Sequence, residues 1–541
     1  IVTYVPKQKV LKVRTNKNPL VFFNQEAQMV GMTALTDKGM SGKGLIYFKD
    51  AELGSKDFSF SRWVIDADTS DFNLIGKEVE SEDGMENPLS FDSKNQNAHV
   101  DFESRKGEFK SNSGTSVTEF PKNQYICYID MFTWLMDEDE MELSAKDPGE
   151  IAIESGLDLA GSNFFSIHPE QVSLNFRAPK ARFSYKENVI YCEKVTYLDV
   201  ADARIFPEDE KVIIRKKAKM DPFENAEIVA NFITKYHKIT EAHVEVLASR
   251  AYEASGTYPY VDSEENIQTI FFENIRLDTA YQTVAKGVIE ESANFRLSNK
   301  FDFYGGVELY ASKPFLTFDG ATRINHDCNQ FARNWLTFRT DVDPTNIQIP
   351  VASGDLTDLE GNGIAIGLVK RNTPNSDNLE IYPAFLSALE NETDHILFTS
   401  TGVLNYNDAA KEFRISSPEK LINRAESGNY IALHIESCSM EGDGLVDLGL
   451  ELPGVEFETY GNVSYNTATK LTTLNLSGGL DFYFDKKAME FISNAISSSE
   501  GLSGVDLGRT TFEQAVQEQV SKDEAENIRA DYTVDGVVKK F

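Results

Sequence analysis

The run WLMDEDEMEL, residues 134–143, gathers five carboxylates within six positions, from Asp137 to Glu142. Carboxylates crowded in this way can hold Ca²⁺, a hard cation that takes many oxygen ligands. They can also raise one member's pKa until it serves as a general acid beside an ionised neighbour. Asp137, Asp139 and Glu140 are the candidate metal ligands. Strand alternation would place Asp137 and Asp139 on one face and Glu138, Glu140 and Glu142 on the other. A solvated turn or sheet edge has the same pattern, so a bound cation and a plain charged edge both stay open.

Seven histidines are available for proton transfer or metal binding: His99, His168, His237, His243, His326, His395 and His434. No HExxH occurs, the spacing that puts two zinc ligands and a base on one helical face. His237 and His243 lie six apart in strand-like sequence, the parity of a shared sheet face, without an evident third ligand. His326 stands two residues before Cys328, and such a pair needs an orienting group that the sequence does not offer. Asp355, Asp358, Glu360 and Asn362 before Gly363, and Asp443 and Asp447 in GDGLVDLG, lack the EF-hand order and read as turns. No GxSxG, GxxxxGKS or GxGxxG is present. The expectation is a protein without catalytic residues or a cofactor, with Ca²⁺ as the one ion in play.

Strands must position whatever binds. To about residue 340 the chain alternates apolar and polar residues over short runs rich in β-branched and aromatic types, as in NAHVDFESRKGEFKS and FDFYGGVELYASKPFLTFDG. The triplets at Ala181, Ala203, Ala226 and Ala242 each place alanine before a polar residue and a large apolar one, with steps of 22, 23 and 16 residues. Ala51 and Ala98 open the same triplet. Those steps are near one rung of a β-solenoid, with alanine at a crowded inward place. A second echo runs glycine, strand, aromatic, turn, alanine from Gly44, Gly402 and Gly461. Helical signals come late: SPEKLINRAESGN with Ser417 as N-cap and Gly428 near the stop, KKAMEFISNAISSS, and TTFEQAVQEQ. The expected architecture is mainly β, an elongated β-solenoid or stacked β-sandwich units with a few C-terminal helices that cap an open edge. The expected units are 1–80, 81–175 with the acidic turn, 176–345 with the solenoid-like repeats, and 346–541 with the capping helices.

Composition narrows the partners. Lys and Arg total 53 against 86 Asp and Glu, a net charge of −33, which leaves no surplus cations for a phosphate backbone. Nucleic acid is therefore not an expected partner. Cys127, Cys192, Cys328 and Cys438 are too scattered for a zinc ribbon or a thioredoxin motif, and buried thiols or one or two disulfides both fit. No run approaches the ~18 apolar residues of a membrane-spanning helix, and the strand-like start IVTYVPKQKV reads as lying inside a longer precursor.

The stretch from FSYKENVIYCEKVTYLDVADARIF to AYEASGTYPYVD, and then FYGGVELYASKPFLTFDGATRINHDC, resembles a family of large, uncharacterised, β-rich cell-envelope proteins of Bacteroidota. The likeness extends over nearly the whole chain, GDGLVDLG and TTFEQAVQEQ included. It implies the C-terminal part of an exported protein in the periplasm or at the cell surface, associated with the outer membrane, and it supplies no catalytic motif. The rungs also resemble, in pattern, the OstA-type repeats of periplasmic lipopolysaccharide carriers. Asp278-Thr279-Ala280 fits the O-glycosylation pattern of that phylum, which makes Thr279 a candidate acceptor. The leading expectation is a non-enzymatic envelope scaffold that binds other cell-envelope proteins. The alternatives are a carrier of lipid in an apolar β groove and a glycan-binding surface protein for which SGTYPYVD supplies the aromatics.

Overall fold

The computed structural model describes residues 1–76, 89–113, 116–145, 161–351, 357–358, 361, 363–373, 379–451, 453, 455–482 and 486–498. The chain divides into two compact units. The first holds residues 1–259, 269–287 and 309–314, and the second holds 260–268, 288–308 and 315–541.

In the first unit, strands Ala27–Thr36, Gly39–Phe48, Ala51–Phe60, Val64–Ile75 and Leu89–Asp101 pair in chain order, each antiparallel to the next. The sheet then forks. Residues 96–101 pair with Lys106–Ser111, while Asp92 and Ser93 pair with Glu119 and Thr118 of Ser116–Phe120. One branch continues through Met131–Leu135, Glu140–Ser144, Lys180–Ser184, Val189–Glu193 and Lys211–Ile214. The other continues through Tyr125–Ile129, Phe164–Ser166 and Asn175–Phe176.

Alternation in sequence becomes alternation in burial. Lys106–Ser111 turns Gly107, Phe109 and Ser111 inward and Lys106, Glu108 and Lys110 outward. The inward rings fill the space that the fork encloses. Phe72 has its ring centroid 4.5 Å from Phe109, 5.3 Å from Trp134 and 5.7 Å from Phe132, and Phe120 bridges Phe91 and Phe183 at 5.5 and 5.0 Å. Offset and edge-on rings of this kind add to what their burial alone contributes.

Strands dominate as the alternation predicts, but the β-solenoid expectation is corrected. A solenoid pairs each strand in parallel with its equivalent one rung away. Here Ala203–Phe206 pairs antiparallel with Phe223–Ala230, which pairs antiparallel with His237–Ala248. The triplet alanines are crowded as expected: Ala203, Ala226 and Ala242 have no exposed surface. Their neighbours are adjacent antiparallel strands, so one inward alanine per strand produces the echo that reads as a rung. The glycine echo has a related cause. Gly44 lies opposite Gly31 and Gly461 opposite Gly444, where neighbouring backbones come close. A Cβ on Gly44, whose φ is +141°, would lie 2.2 Å from the Val30 carbonyl oxygen.

In the second unit, Ile364–Lys370 pairs with Ile381–Ala388 and His395–Phe398. A second sheet runs Ile349–Val351, Gly402–Asn407, Glu412–Ser416, Tyr430–His434, Ser439–Val446, Val455–Asn466 and Leu471–Phe482, again antiparallel throughout. Phe413 packs against Phe301 at 5.7 Å and Tyr406 at 5.0 Å, and a disulfide joins Cys328 to Cys438 across 110 residues.

The expected C-terminal helices are much reduced. Ser417 is the N-cap, its hydroxyl accepting from the Lys420 amide at 3.2 Å, but the helix is only Pro418–Ile422 and ends at Asn423, well before Gly428. Lys486–Ser497 is the other α-helix among the described residues, and TTFEQAVQEQ lies outside them. No helix among the described residues is long and apolar enough to cross a membrane.

Candidate functional site

The acidic run of the first unit is a hairpin turn between Met131–Leu135 and Glu140–Ser144, and three of its carboxylates go to separate partners. Asp137 accepts from Arg105 at 3.1 and 3.0 Å and from Lys49 at 3.1 Å. Those hydrogen bonds, Arg105 first, hold its carboxyl down to about 2. Asp139 has a left-handed φ of 55° and accepts from the Tyr185 hydroxyl at 2.9 Å, while Glu140 pairs with Arg182. Each of these three carboxylates, the candidate metal ligands, is thus taken by a donor of its own, where calcium needs six to eight converging oxygens.

The other predicted residues are also separated. His237 and His243 do not share a face, because a bulge at Glu241, φ 51°, flips the parity between Thr240 and His243. His237 is buried, 2.8 Å from the Lys313 carbonyl and 3.2 Å from the Tyr258 hydroxyl, and burial pushes its pKa down. His243 is exposed and faces Glu224 at 2.9 Å. Nδ1 of His326 accepts from the Cys328 amide at 3.2 Å, but the Cys328 sulfur is committed to the disulfide and is no nucleophile. Cys127 and Cys192 are free and buried, and burial raises both thiols far above their usual range.

Thr279 is exposed at the tip of a hairpin whose turn is held by Asp278 Oδ1, which accepts from the amides of Ala280 at 2.8 Å and Gln282 at 2.9 Å. The Tyr258 and Tyr260 hydroxyls of SGTYPYVD are turned to protein partners, His237 and the Leu297 carbonyl, rather than to solvent. Asp443 is taken by Lys420 at 2.8 Å and by Arg424, and the Asp447 carbonyl lies 3.1 Å from His395 Nε2. Asp355, Glu360 and Asn362 lie outside the described residues.

A constellation that the sequence does not announce forms in the second unit. Register sets Glu412 opposite His434 and Ala432 opposite Glu441, so three adjacent strands bring these side chains onto one face. His434 Nδ1 is 3.3 Å from Glu412 Oε2, and Nε2 is 3.3 Å from Glu441 Oε2. Glu412 is only 6% exposed and also accepts from the Tyr430 hydroxyl at 2.6 Å. The Glu441 carboxylate raises the His434 pKa, and His434 in turn lowers that of Glu441. Among the described residues this is the only group of three or more His, Cys, Asp or Glu side chains whose ligand atoms lie within 4.8 Å of one another. His434 was one of seven histidines in the sequence. Its partners were hidden because the segment 417–429 separates Glu412 from its strand neighbour.

Near the end of the Gly402–Asn407 strand opens a polar cavity of about 490 Å³, lined in part by Asn299, Lys300, Asn346, Tyr406 and Asn407. The Lys300 ammonium stands 5.0 Å from the Tyr406 ring centroid. Arg414 donates to Asn405 Oδ1 at 3.2 and 3.1 Å, and Asn405 donates to Asn346 at 3.1 Å, so the wall is fixed by its own hydrogen bonds.

Fold and site together define an antiparallel β-sheet protein with a histidine–carboxylate cluster on one sheet face. No family model, curated protein or solved structure matches the chain.

Proposed function

We propose that this chain is a non-enzymatic scaffold of the bacterial cell envelope, built of sandwich-like sheet units, that binds partner proteins of an outer-membrane assembly. The observation that carries this reading is the Cys328–Cys438 crosslink. A disulfide closing 110 residues belongs to an oxidising compartment, and the reducing cytosol keeps such thiols apart. The charge chemistry points the same way, since Asp137, Glu140 and Asp443 are each neutralised by basic side chains of the same unit. Exposed Val21, Val30 and Leu45, which share the outer face of the first sheet, offer apolar contact area to a partner. The lipid-carrier alternative is less favoured, because the aromatic rings of the first unit occupy the interior that an acyl chain would need. The glycan-binding alternative draws on the polar cavity beside Tyr406.

The test is fractionation of the native cell followed by mild-detergent isolation. The expected result is a protein in the periplasmic or outer-membrane fraction, oxidised at Cys328 and Cys438, with stoichiometric protein partners. A reduced, cytosolic protein overturns the envelope assignment, and co-isolated acyl chains or glycan without protein overturn the scaffold.

A further inference from the structure

We propose that His434 and Glu441 are the protein ligands of a zinc-type divalent metal site, with Glu412 as the residue that orients the imidazole. The three side chains have distinct places. Glu412 is buried, is held by the Tyr430 hydroxyl at 2.6 Å, and faces Nδ1 of His434. A carboxylate in that position accepts the Nδ1 proton, fixes the ring and leaves the Nε2 lone pair for a cation, the arrangement that supports metal-bound histidines generally. On the other side of the ring, Glu441 Oε2 lies 3.3 Å from Nε2. Two ligand atoms at that separation, each about 2.0–2.1 Å from one cation, subtend an angle of roughly 105°, close to tetrahedral.

The donor set selects the metal. One imidazole nitrogen and one carboxylate oxygen suit zinc or a neighbouring transition ion, whereas Ca²⁺ and Mg²⁺ take oxygen alone. A divalent charge also balances Glu412 and Glu441. Two guanidinium groups lie around the cluster and are bound elsewhere: Arg424 is paired with Asp443 and lies 3.4 Å from the Tyr430 ring centroid, and Arg414, opposite Ala432, donates to Asn405 and to the Leu421 carbonyl. The side chains of His434 and Glu441 are 26% and 48% exposed, so the remaining coordination positions open to water. Ser464 lies opposite Glu441 on the same face. With two protein ligands the site is open, the form in which a metal keeps exchangeable positions.

The test is titration of chelator-treated full-length protein with Zn²⁺ by calorimetry at neutral pH. The expected result is one saturable equivalent that excess Ca²⁺ does not displace. Glu441→Gln, a half-exposed change, should weaken that binding at least ten-fold with an unchanged melting temperature, and Glu412→Gln should also weaken it about ten-fold through the loosened ring. Asp137→Asn in the acidic turn should leave it unchanged. Absence of saturable binding, or binding in Glu441→Gln and His434→Gln within three-fold of the parent, overturns the proposal and leaves the cluster as an imidazolium held between two carboxylates.

Discussion

Ala226 and Ala242 face each other directly across an antiparallel strand pair, and neither has any exposed surface. Their methyl groups stand side by side on the buried face of the sheet. Ala226→Leu should overpack that face and lower stability by about 1–3 kcal/mol, the usual range for added core volume. Ala242→Leu should cost about as much. The double variant should deviate from the sum, because the two sites share one space. Urea unfolding followed by circular dichroism measures all three, and an unchanged midpoint in either single variant would contradict the packing described.

The crosslink in the second unit gives a larger effect. Replacing Cys328 and Cys438 by serine should cost about 2–5 kcal/mol, because the unfolded chain recovers the freedom of a long loop. Guanidinium melts of the oxidised parent, the reduced parent and the double serine variant should place the last two together and the first apart. Three coincident curves would show that the link does not bear on folding.

Acid stability should carry a term from Asp137. Its folded carboxyl is held near 2, below the ordinary 3.8, so the stabilisation is complete above the unfolded value and fades as pH falls through the folded one. In Asp137→Asn the stability-against-pH curve should be flatter between about pH 4 and 2, by a small amount because the carboxylate is solvent-exposed. A carboxyl chemical shift that titrates near 4 would refute the pairing with Arg105 and Lys49.

His237 should act at higher pH. Burial lowers its folded pKa below the ordinary 6.5, so on acidification the unfolded chain binds a proton that the folded one resists. Stability should be fully present above 6.5 and decline as pH drops below it, and His237→Gln should remove that part of the slope. A histidine resonance that titrates at 6.5 in the native protein would contradict it.

At Gly44 the objection to a side chain is both local and tertiary: a positive φ, and a carbonyl oxygen where a Cβ would stand. Gly44→Ala should cost more than the ~1 kcal/mol on which single substitutions centre. Thermal unfolding beside Gly39→Ala, where nothing crowds the added carbon, separates the steric part from the backbone part.

The strands were legible because burial follows a period of two, and the inward alanines were legible as crowded positions. The direction of pairing was not, since alternation is identical whether a strand meets its neighbour parallel or antiparallel. Parity arguments failed at Glu241, where one extra residue moves His243 to the other face without a mark in the sequence. The acidic run read correctly as a turn candidate, but its partners Lys49 and Arg105 are 88 and 32 residues away from Asp137. The Glu412–His434–Glu441 cluster depends on register across three strands, information that spacing alone does not hold.

The wide span of the crosslink also bears on the order of synthesis. In the oxidising compartment proposed above, a chain that enters N-terminus first presents Cys328 before Cys438, and until the second arrives Cys328 is an unpaired thiol. Cys127 and Cys192 have emerged by then and compete for it unless the aromatic core around them has closed. Burial of those two thiols thus protects the fidelity of oxidation as well as packing. A variant that delays the first unit, such as Gly44→Ala, should accumulate mispaired species of Cys328 with Cys127 or Cys192, countable by peptide mapping under non-reducing conditions.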